Sequence, residues 1–128
     1  MPGLRGHPMS SIYGKGKRGK ATMLHSQVVR QRGHCQNCGG TSNLQAAHII
    51  PRRYAATRCD PANAFCLDAK CHMRFTEHAD EWMAFVDQTI GRDEFDRLKR
   101  VAETGVKAND AFWQGWIDVL TQMRGAQV

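Results

Sequence analysis

The stretch that decides the fold runs from Cys35 to His78 and reads CQNCGGTSNLQAAHIIPRRYAATRCDPANAFCLDAKCHMRFTEH. Three pieces follow one another in it: Cys35-Gln36-Asn37-Cys38, then Ala47 to Pro51, then Asn63 to His72. Two cysteines separated by two residues can direct both thiolates at one ion, and the two glycines that follow let backbone amides approach the sulfurs. The first piece therefore predicts half of a zinc site, which needs two further ligands later in the chain.

The second and third pieces predict a hairpin followed by a helix. Leu44 to Ile50 is typical of a short strand that Pro51 stops, and Asn63 to Leu67 is typical of a second strand. Asp68 is a good N-cap residue, so a helix is expected to begin there and to carry Cys71-His72 in its first turns. The residues between the two strands, 54–62, read as a loop.

Helices are predicted on both sides of this hairpin. Apolar residues at helical spacing indicate one helix before it and three after it. Their expected ranges are Ala21 to Gln31, His78 to Ile90, Asp93 to Glu103, and a last helix capped by Asn109 or Asp110. The fold class is therefore α+β, with a small ββα core, a zinc knuckle and mostly helical surroundings. The last helix has a broad apolar face, which predicts packing on the other helices; a homodimer contact is the alternative.

The charges divide the chain in two. From Met1 to Cys59 there are ten Lys or Arg residues and no Asp or Glu, whereas the remainder holds twelve acids and eight bases. A basic half of this kind neutralises phosphates and releases counterions, which predicts contact with a nucleic acid. Residues 1–20 are glycine-rich and read as a flexible basic arm, so that 21–128 form one domain with its core at 33–78 and a C-terminal helical extension. The arm carries four candidate phosphate-binding residues: Lys15, Lys17, Arg18 and Lys20.

Composition also argues against several protein classes. No apolar run is long enough to cross a membrane, and the first residues lack the apolar core of a signal peptide, so a cytoplasmic protein is expected. Five cysteines, an odd number, suit metal binding or free thiols better than a disulfide framework. A thiol redox role for the first cysteine pair is disfavoured because the pair is not set in a βαβ unit.

A cysteine pair, a histidine before Ile and Pro, an asparagine and a final Cys-His together resemble the HNH endonuclease family, which has a ββα-metal fold. The resemblance covers roughly Ala21 to Leu98 and is tightest between Cys35 and His78. The helix before the knuckle, the Arg-rich loop and the Trp-bearing helix after the final Cys-His resemble small phage or prophage members. That resemblance implies the cytoplasm of a bacterial host and a phage packaging protein as a partner.

The resemblance implies a role for each residue of the pattern. His48 matches the general base, Asn63 matches the residue that braces the hairpin, and His72 matches the histidine that binds the catalytic divalent cation, Mg²⁺ or Mn²⁺. The implied activity is metal-dependent hydrolysis of phosphodiester bonds in DNA, which we expect to be double-stranded. Three arginines close to His48 are expected to hold neighbouring phosphates: Arg52, Arg53 and Arg58.

This chain departs from the family pattern at two positions. Ala47 stands where the family often has a second metal ligand, so His78 is considered as a supplementary ligand of the catalytic cation. Asp68 stands where the usual second cysteine pair begins. Cys66 is the preferred fourth zinc ligand beside Cys35, Cys38 and Cys71, and Asp68 is its rival. The missing ligand at residue 47 keeps a zinc-stapled, non-catalytic DNA-binding module open as the alternative function.

Overall fold

The computed structural model describes residues 12–126. The helices and strands that position the site are, in chain order, α1 (Gly16–Arg30), β1 (Leu44–His48), α2 (Ala55–Arg58), β2 (Ala64–Asp68), α3 (Ala69–Glu77), α4 (Ala79–Thr89), α5 (Arg92–Ala102) and α6 (Asp110–Ala126). A single 3-10 turn, Pro61–Asn63, leads into β2. The α+β class and the order hairpin, then helix, are confirmed.

The strands β1 and β2 form an antiparallel hairpin in which Leu44 pairs with Asp68 and His48 with Ala64. Side chains alternate between the two faces of the hairpin. Phe65 and Leu67 face the larger core, which α3, α4 and α5 complete. Cys66 faces the other way and packs on Val29 of α1. The hairpin is thus covered on both faces, which fixes its register because a slip of one residue would exchange the two faces.

The helix α6 packs along α1. Trp113, Ile117 and Leu120 of α6 share a buried cluster with Leu24 and Val28 of α1. The apolar face of the last helix therefore has a partner within the chain, as its plain interpretation predicted. Asn109 caps this helix, because its side-chain oxygen accepts the N–H of Phe112 at 3.0 Å.

Two local predictions require correction. The helix α1 begins at Gly16 and not at Ala21, so residues 16–20 are helical instead of belonging to a flexible arm. The glycine at position 19 serves close packing, since a Cβ there would collide with the backbone of Gly14. The short helix α2 lies within the stretch 54–62 that was predicted to be a loop. Residues 1–11 of the predicted arm lie outside the described residues.

Across residues 12–126, no helix is both long enough and apolar enough to cross a membrane.

Candidate active site and metal centre

The first cysteine pair forms a tight turn that is fastened to the hairpin. The turn is closed by the N–H of Cys35 donating to the Gly40 oxygen at 2.7 Å and the N–H of Gly39 donating to the Cys35 oxygen at 2.8 Å. Gln36 then pairs with the backbone of Cys66: its N–H donates to the Cys66 oxygen at 2.8 Å, and its side-chain oxygen accepts the Cys66 N–H at 2.8 Å. These bonds hold the turn beside the end of β2.

Four potential ligands meet where this turn faces the start of α3. The ligand atoms of Cys35, Cys38, Asp68 and Cys71 all lie within 4.8 Å of one another. Asp68 is placed there by its role as the N-cap of α3, where one carboxylate oxygen accepts the Cys71 N–H at 2.8 Å. The other oxygen accepts the Cys38 thiol at 2.9 Å. Ligands of a tetrahedral zinc ion with thiolate bonds lie roughly 3.8 Å apart, so the spacing fits a closed structural site.

Hydrogen bonds and burial set the protonation of this cluster. The hydrogen bond from Cys38 lowers the pKa of Asp68, and the same contact raises the pKa of Cys38. Burial raises the pKa of Cys71 to about 12. Burial acts in the same direction on Cys35, but backbone N–H groups outweigh it and lower the pKa of that thiol. A metal ion that binds here must displace thiol protons, so its affinity falls as pH falls.

The structure brings Asp68, and not Cys66, together with the other three predicted ligands. Cys66 is fully buried on the hairpin face that packs on Val29 of α1, and it is not part of the four-residue group. It serves the site through its backbone, which holds Gln36. Cys59 is also fully buried, and burial raises the pKa of its thiol to about 11, which agrees with its interpretation as a packed cysteine.

The ligand set leads to a direct test with two alanine variants. We expect Asp68→Ala to lower the zinc affinity by about 10- to 100-fold or more, because it removes a ligand and the cap of α3. We expect Cys66→Ala to keep one zinc ion per chain. Its free energy of unfolding should fall by about 1 kcal/mol, because the substitution leaves a small cavity. Zinc content after dialysis against a weak chelator measures both. Loss of zinc from the Cys66 variant, with zinc retained by the Asp68 variant, would show that Cys66 is the fourth ligand and that Asp68 is not.

A second group of residues surrounds two adjoining cavities of about 300 and 430 Å³. His48, at the end of β1, and His72, on α3, line both cavities. Ala47, Phe75 and Trp82 add an apolar wall to the smaller cavity. The hairpin and α3 thus bring the first and last histidines of the sequence pattern to one place.

Hydrogen bonds assign the two nitrogens of each histidine. His48 Nε2 lies 2.9 Å from the Arg58 carbonyl oxygen, which only accepts, so Nε2 carries the proton and Nδ1 is the basic nitrogen. His72 Nδ1 lies 2.6 Å from the side-chain oxygen of Gln45, which leaves Nε2 of His72 with its lone pair. Burial and the nearby Arg52, Arg58 and His72 lower the pKa of His48 to about 4, so its imidazole is neutral at pH 7.

Asn63 closes the loop between the strands. It is fully buried, and its side-chain oxygen accepts the Ile50 N–H at 2.8 Å. Its side-chain nitrogen donates to the carbonyl oxygens of Ile50 at 3.0 Å and Thr57 at 3.1 Å. Ile50 lies two residues after His48, so this clamp fixes the backbone that carries the histidine. The bracing of the hairpin by Asn63 stays a prediction, and these contacts with the loop are the ones it would use.

Residues 34–79 match the family model described as HNH endonuclease. This segment belongs to the HNH endonuclease family. The match contains the knuckle, the hairpin and α3, together with the three pattern residues His48, Asn63 and His72. The match supports nuclease activity in general, and members of the family typically use metal ions. Neither a comparison with curated proteins nor one with solved structures found a match.

The HNH segment differs from the expected cation site in two respects. Ala47 lines the smaller cavity, and none of the described residues that line the two cavities is a carboxylate. His78 was predicted to supplement His72, but it is not among those lining residues. It ends α3, and its Nδ1 lies 4.0 Å from a carboxylate oxygen of Glu81. Of the two predicted cation ligands, the structure brings only His72 to the cavities.

Of the basic residues predicted to bind nucleic acid, Arg52 is the one that lines the larger cavity among the described residues. Arg53 is exposed beside Tyr54. Arg58 is half-buried and held by Thr22, whose hydroxyl oxygen accepts its Nε at 3.0 Å. The four basic residues of the predicted arm are exposed at or near the start of α1: Lys15, Lys17, Arg18 and Lys20.

Sequence reasoning missed His25, which lines the larger cavity beside His48 of the HNH segment. It lies on α1, outside the family match, and it follows Leu24 in an ordinary amphipathic pattern. The one local signal was a histidine next to the apolar stripe of the helix, which more often indicates a core residue than a functional one.

Proposed function

We propose that the chain is a divalent-metal-dependent DNA endonuclease in which His48 is the general base. The observation that carries the proposal is the hydrogen bond from His48 Nε2 to the Arg58 carbonyl oxygen. It leaves a neutral imidazole whose Nδ1 is free to take a proton, in a cavity that His72 also lines. A neutral imidazole can accept a proton from a water molecule at neutral pH.

In the proposed reaction His48 Nδ1 takes a proton from a water molecule that attacks phosphorus in line with the leaving 3′ oxygen. Asn63 keeps the backbone after His48 in place, so the base is oriented before the substrate binds. His72 is the residue suited to hold the cation, because its Nε2 keeps a lone pair while Gln45 fixes its ring. A bound divalent cation supplies stabilisation of the charge that develops on the phosphate and the leaving oxygen.

The second metal centre has a structural role in this proposal. Cys35, Cys38, Asp68 and Cys71 form a closed set of four ligands with no position left for a substrate. A zinc ion there would tie the turn before β1 to the junction of β2 and α3. Since that junction places His72 relative to the hairpin, the zinc ion would preserve the geometry of the cavities.

The arginines and lysines supply contacts to the DNA backbone. Arg52 and Arg53 are exposed on the loop that follows β1, and the basic residues at the start of α1 are exposed as well. Each phosphate that they neutralise releases counterions, so binding is expected to weaken steeply with salt. Arg58 is engaged by Thr22 and by the Arg52 carbonyl oxygen, so it contributes a fixed positive charge more than a mobile contact.

The test is cleavage of supercoiled plasmid by the purified full-length chain with magnesium, manganese, nickel, cobalt or zinc added singly. We expect nicked or linear plasmid with at least one of these ions and none in the presence of excess chelator. A gel-shift measurement with the same DNA runs in parallel. Binding without cleavage under every ion would contradict the proposal and identify a zinc-stapled DNA-binding module instead.

A further inference from the structure

His25 is a fully buried histidine that no step of the proposed reaction uses. Its Nε2 lies 3.2 Å from the Asp60 carbonyl oxygen, which only accepts, so Nε2 carries the proton. Nδ1 is then an unprotonated acceptor, and among residues 12–126 no hydrogen-bond partner reaches it. An unpaired buried nitrogen destabilises a folded protein, and an apolar side chain at this position would avoid that penalty. The histidine therefore requires an explanation other than core packing.

The ring of His25 lies against the ring of His48. Their centroids are 4.8 Å apart and their planes are inclined by 31°. This separation is within the range of direct contact between aromatic rings. Both residues also line the larger cavity, so the contact lies at the proposed catalytic centre.

The two histidines are anchored to one short segment of backbone. His48 donates to the Arg58 carbonyl oxygen at 2.9 Å, and His25 donates to the Asp60 carbonyl oxygen at 3.2 Å. That segment is joined to α1 by the Arg58 side chain, whose Nε donates to the Thr22 hydroxyl oxygen at 3.0 Å. The position of one ring is thereby coupled to the position of the other.

We infer that His25 is a positioning residue, which packs on one face of the His48 imidazole and holds that ring in the plane needed for proton transfer. The inference deepens the proposed endonuclease function and rests on it. The hydrogen bond to Arg58 fixes the Nε2 atom of His48 but still allows the ring to tilt about that atom. Contact with the His25 ring restricts the tilt, and the bond from His25 to Asp60 fixes the His25 ring in turn. A general base that is displaced by a fraction of an ångström loses much of its effect.

Two substitutions at residue 25 distinguish the effect of an aromatic ring from the effect of the imidazole itself. His25→Leu removes the ring, whereas His25→Phe keeps an aromatic face against His48. Neither leaves the Asp60 carbonyl oxygen unpaired, because it also accepts the Asn63 N–H at 2.9 Å. We expect His25→Leu to lower kcat for plasmid cleavage by about 10- to 100-fold with KM nearly unchanged. We expect His25→Phe to recover most of kcat, and both variants to melt close to the wild-type temperature.

The tautomer of His48 provides a readout that does not depend on activity. In long-range ¹H–¹⁵N NMR spectra, wild-type His48 should show the single tautomer protonated at Nε2. Tilting of the His48 ring bends and weakens its hydrogen bond to the Arg58 carbonyl oxygen, so we expect a mixture of tautomers in His25→Leu and the single tautomer in His25→Phe. Val28→Ala is the matched control, since Val28 is buried on the same helix but packs with the cluster shared by α1 and α6. It should lower the melting temperature without changing kcat or the His48 tautomer.

Two results would overturn the inference. One is His25→Leu with wild-type kcat and an unchanged His48 tautomer. The other is His25→Phe with wild-type stability but with kcat and tautomer as altered as in the leucine variant. If wild-type protein cleaves no DNA, the proposed function fails, while the NMR comparison still decides whether His25 orients His48.

Discussion

Replacing His48 with alanine is expected to lower the rate of plasmid cleavage by about 10²- to 10⁴-fold, which is the usual contribution of a general base. The variant loses the nitrogen that takes the proton from water, together with the hydrogen bond to the Arg58 carbonyl oxygen. Because His48 lies at the end of β1 and is only partly buried, the fold should be retained. Initial rates at saturating metal, with zinc content and a circular dichroism spectrum of the same sample, measure the effect.

The matched control for this variant is His34→Ala. His34 is exposed and does not line either cavity, and within residues 12–126 its ring makes one hydrogen bond, to the Arg32 carbonyl oxygen. Its loss should leave cleavage within about twofold, as for most exposed positions. Cleavage by His48→Ala at the wild-type rate, with the control also unaffected, would remove His48 from the mechanism.

Removing the proposed structural zinc ion is expected to unfold the hairpin region. Structural zinc contributes an apparent binding free energy of about 10–16 kcal/mol, whereas a domain of this size is stable by only about 5–15 kcal/mol. Without the ion, the turn is joined to α3 by hydrogen bonds such as those from Cys38 to Asp68 and from Asn37 to Cys71, which are much weaker than metal–ligand bonds. A strong chelator should therefore lower the melting temperature by roughly tens of degrees. Thermal unfolding followed by circular dichroism measures the change.

A cysteine outside the cluster provides the control for zinc removal. Cys59→Ala should bind zinc as the wild type does, because Cys59 is buried between α1 and α6 and not near the four ligands. Adding zinc back should restore both the melting temperature and the spectrum. Metal-free protein that melts at the same temperature as the untreated protein would show that metal binding by the cluster does not stabilise the fold.

The local features of the site could be predicted because each depends on neighbours in sequence. The cysteine pair makes its own turn, and Asp68 caps the helix that begins one residue later. The choice between Cys66 and Asp68 is of a different kind. Both positions belong to one face of β2 by alternation, but Cys66 packs on Val29 of α1, and that contact joins residues far apart in the chain.

His25 and Gly19 show the same limit of local reasoning. The function inferred for His25 depends on contacts with Asp60 and His48, which only the folded chain brings to α1. Gly19 reads as a sign of flexibility in sequence, yet in the structure it is the residue whose missing side chain lets Gly14 pack on the helix. In both cases the residue type can be read from the sequence, but the residue that it contacts cannot.

The clamp made by Asn63 has a consequence for how tightly DNA can be held. Ordering a residue of backbone costs about 1–2 kcal/mol in conformational entropy, and a mobile loop would lose that entropy at the moment of association. Asn63 binds the loop at Ile50 and at Thr57, on either side of Arg52 and Arg53. The loop thus loses its conformational entropy when the chain folds. Little further entropy is lost on binding, so the attraction between its arginines and the phosphates contributes more fully to the affinity for DNA.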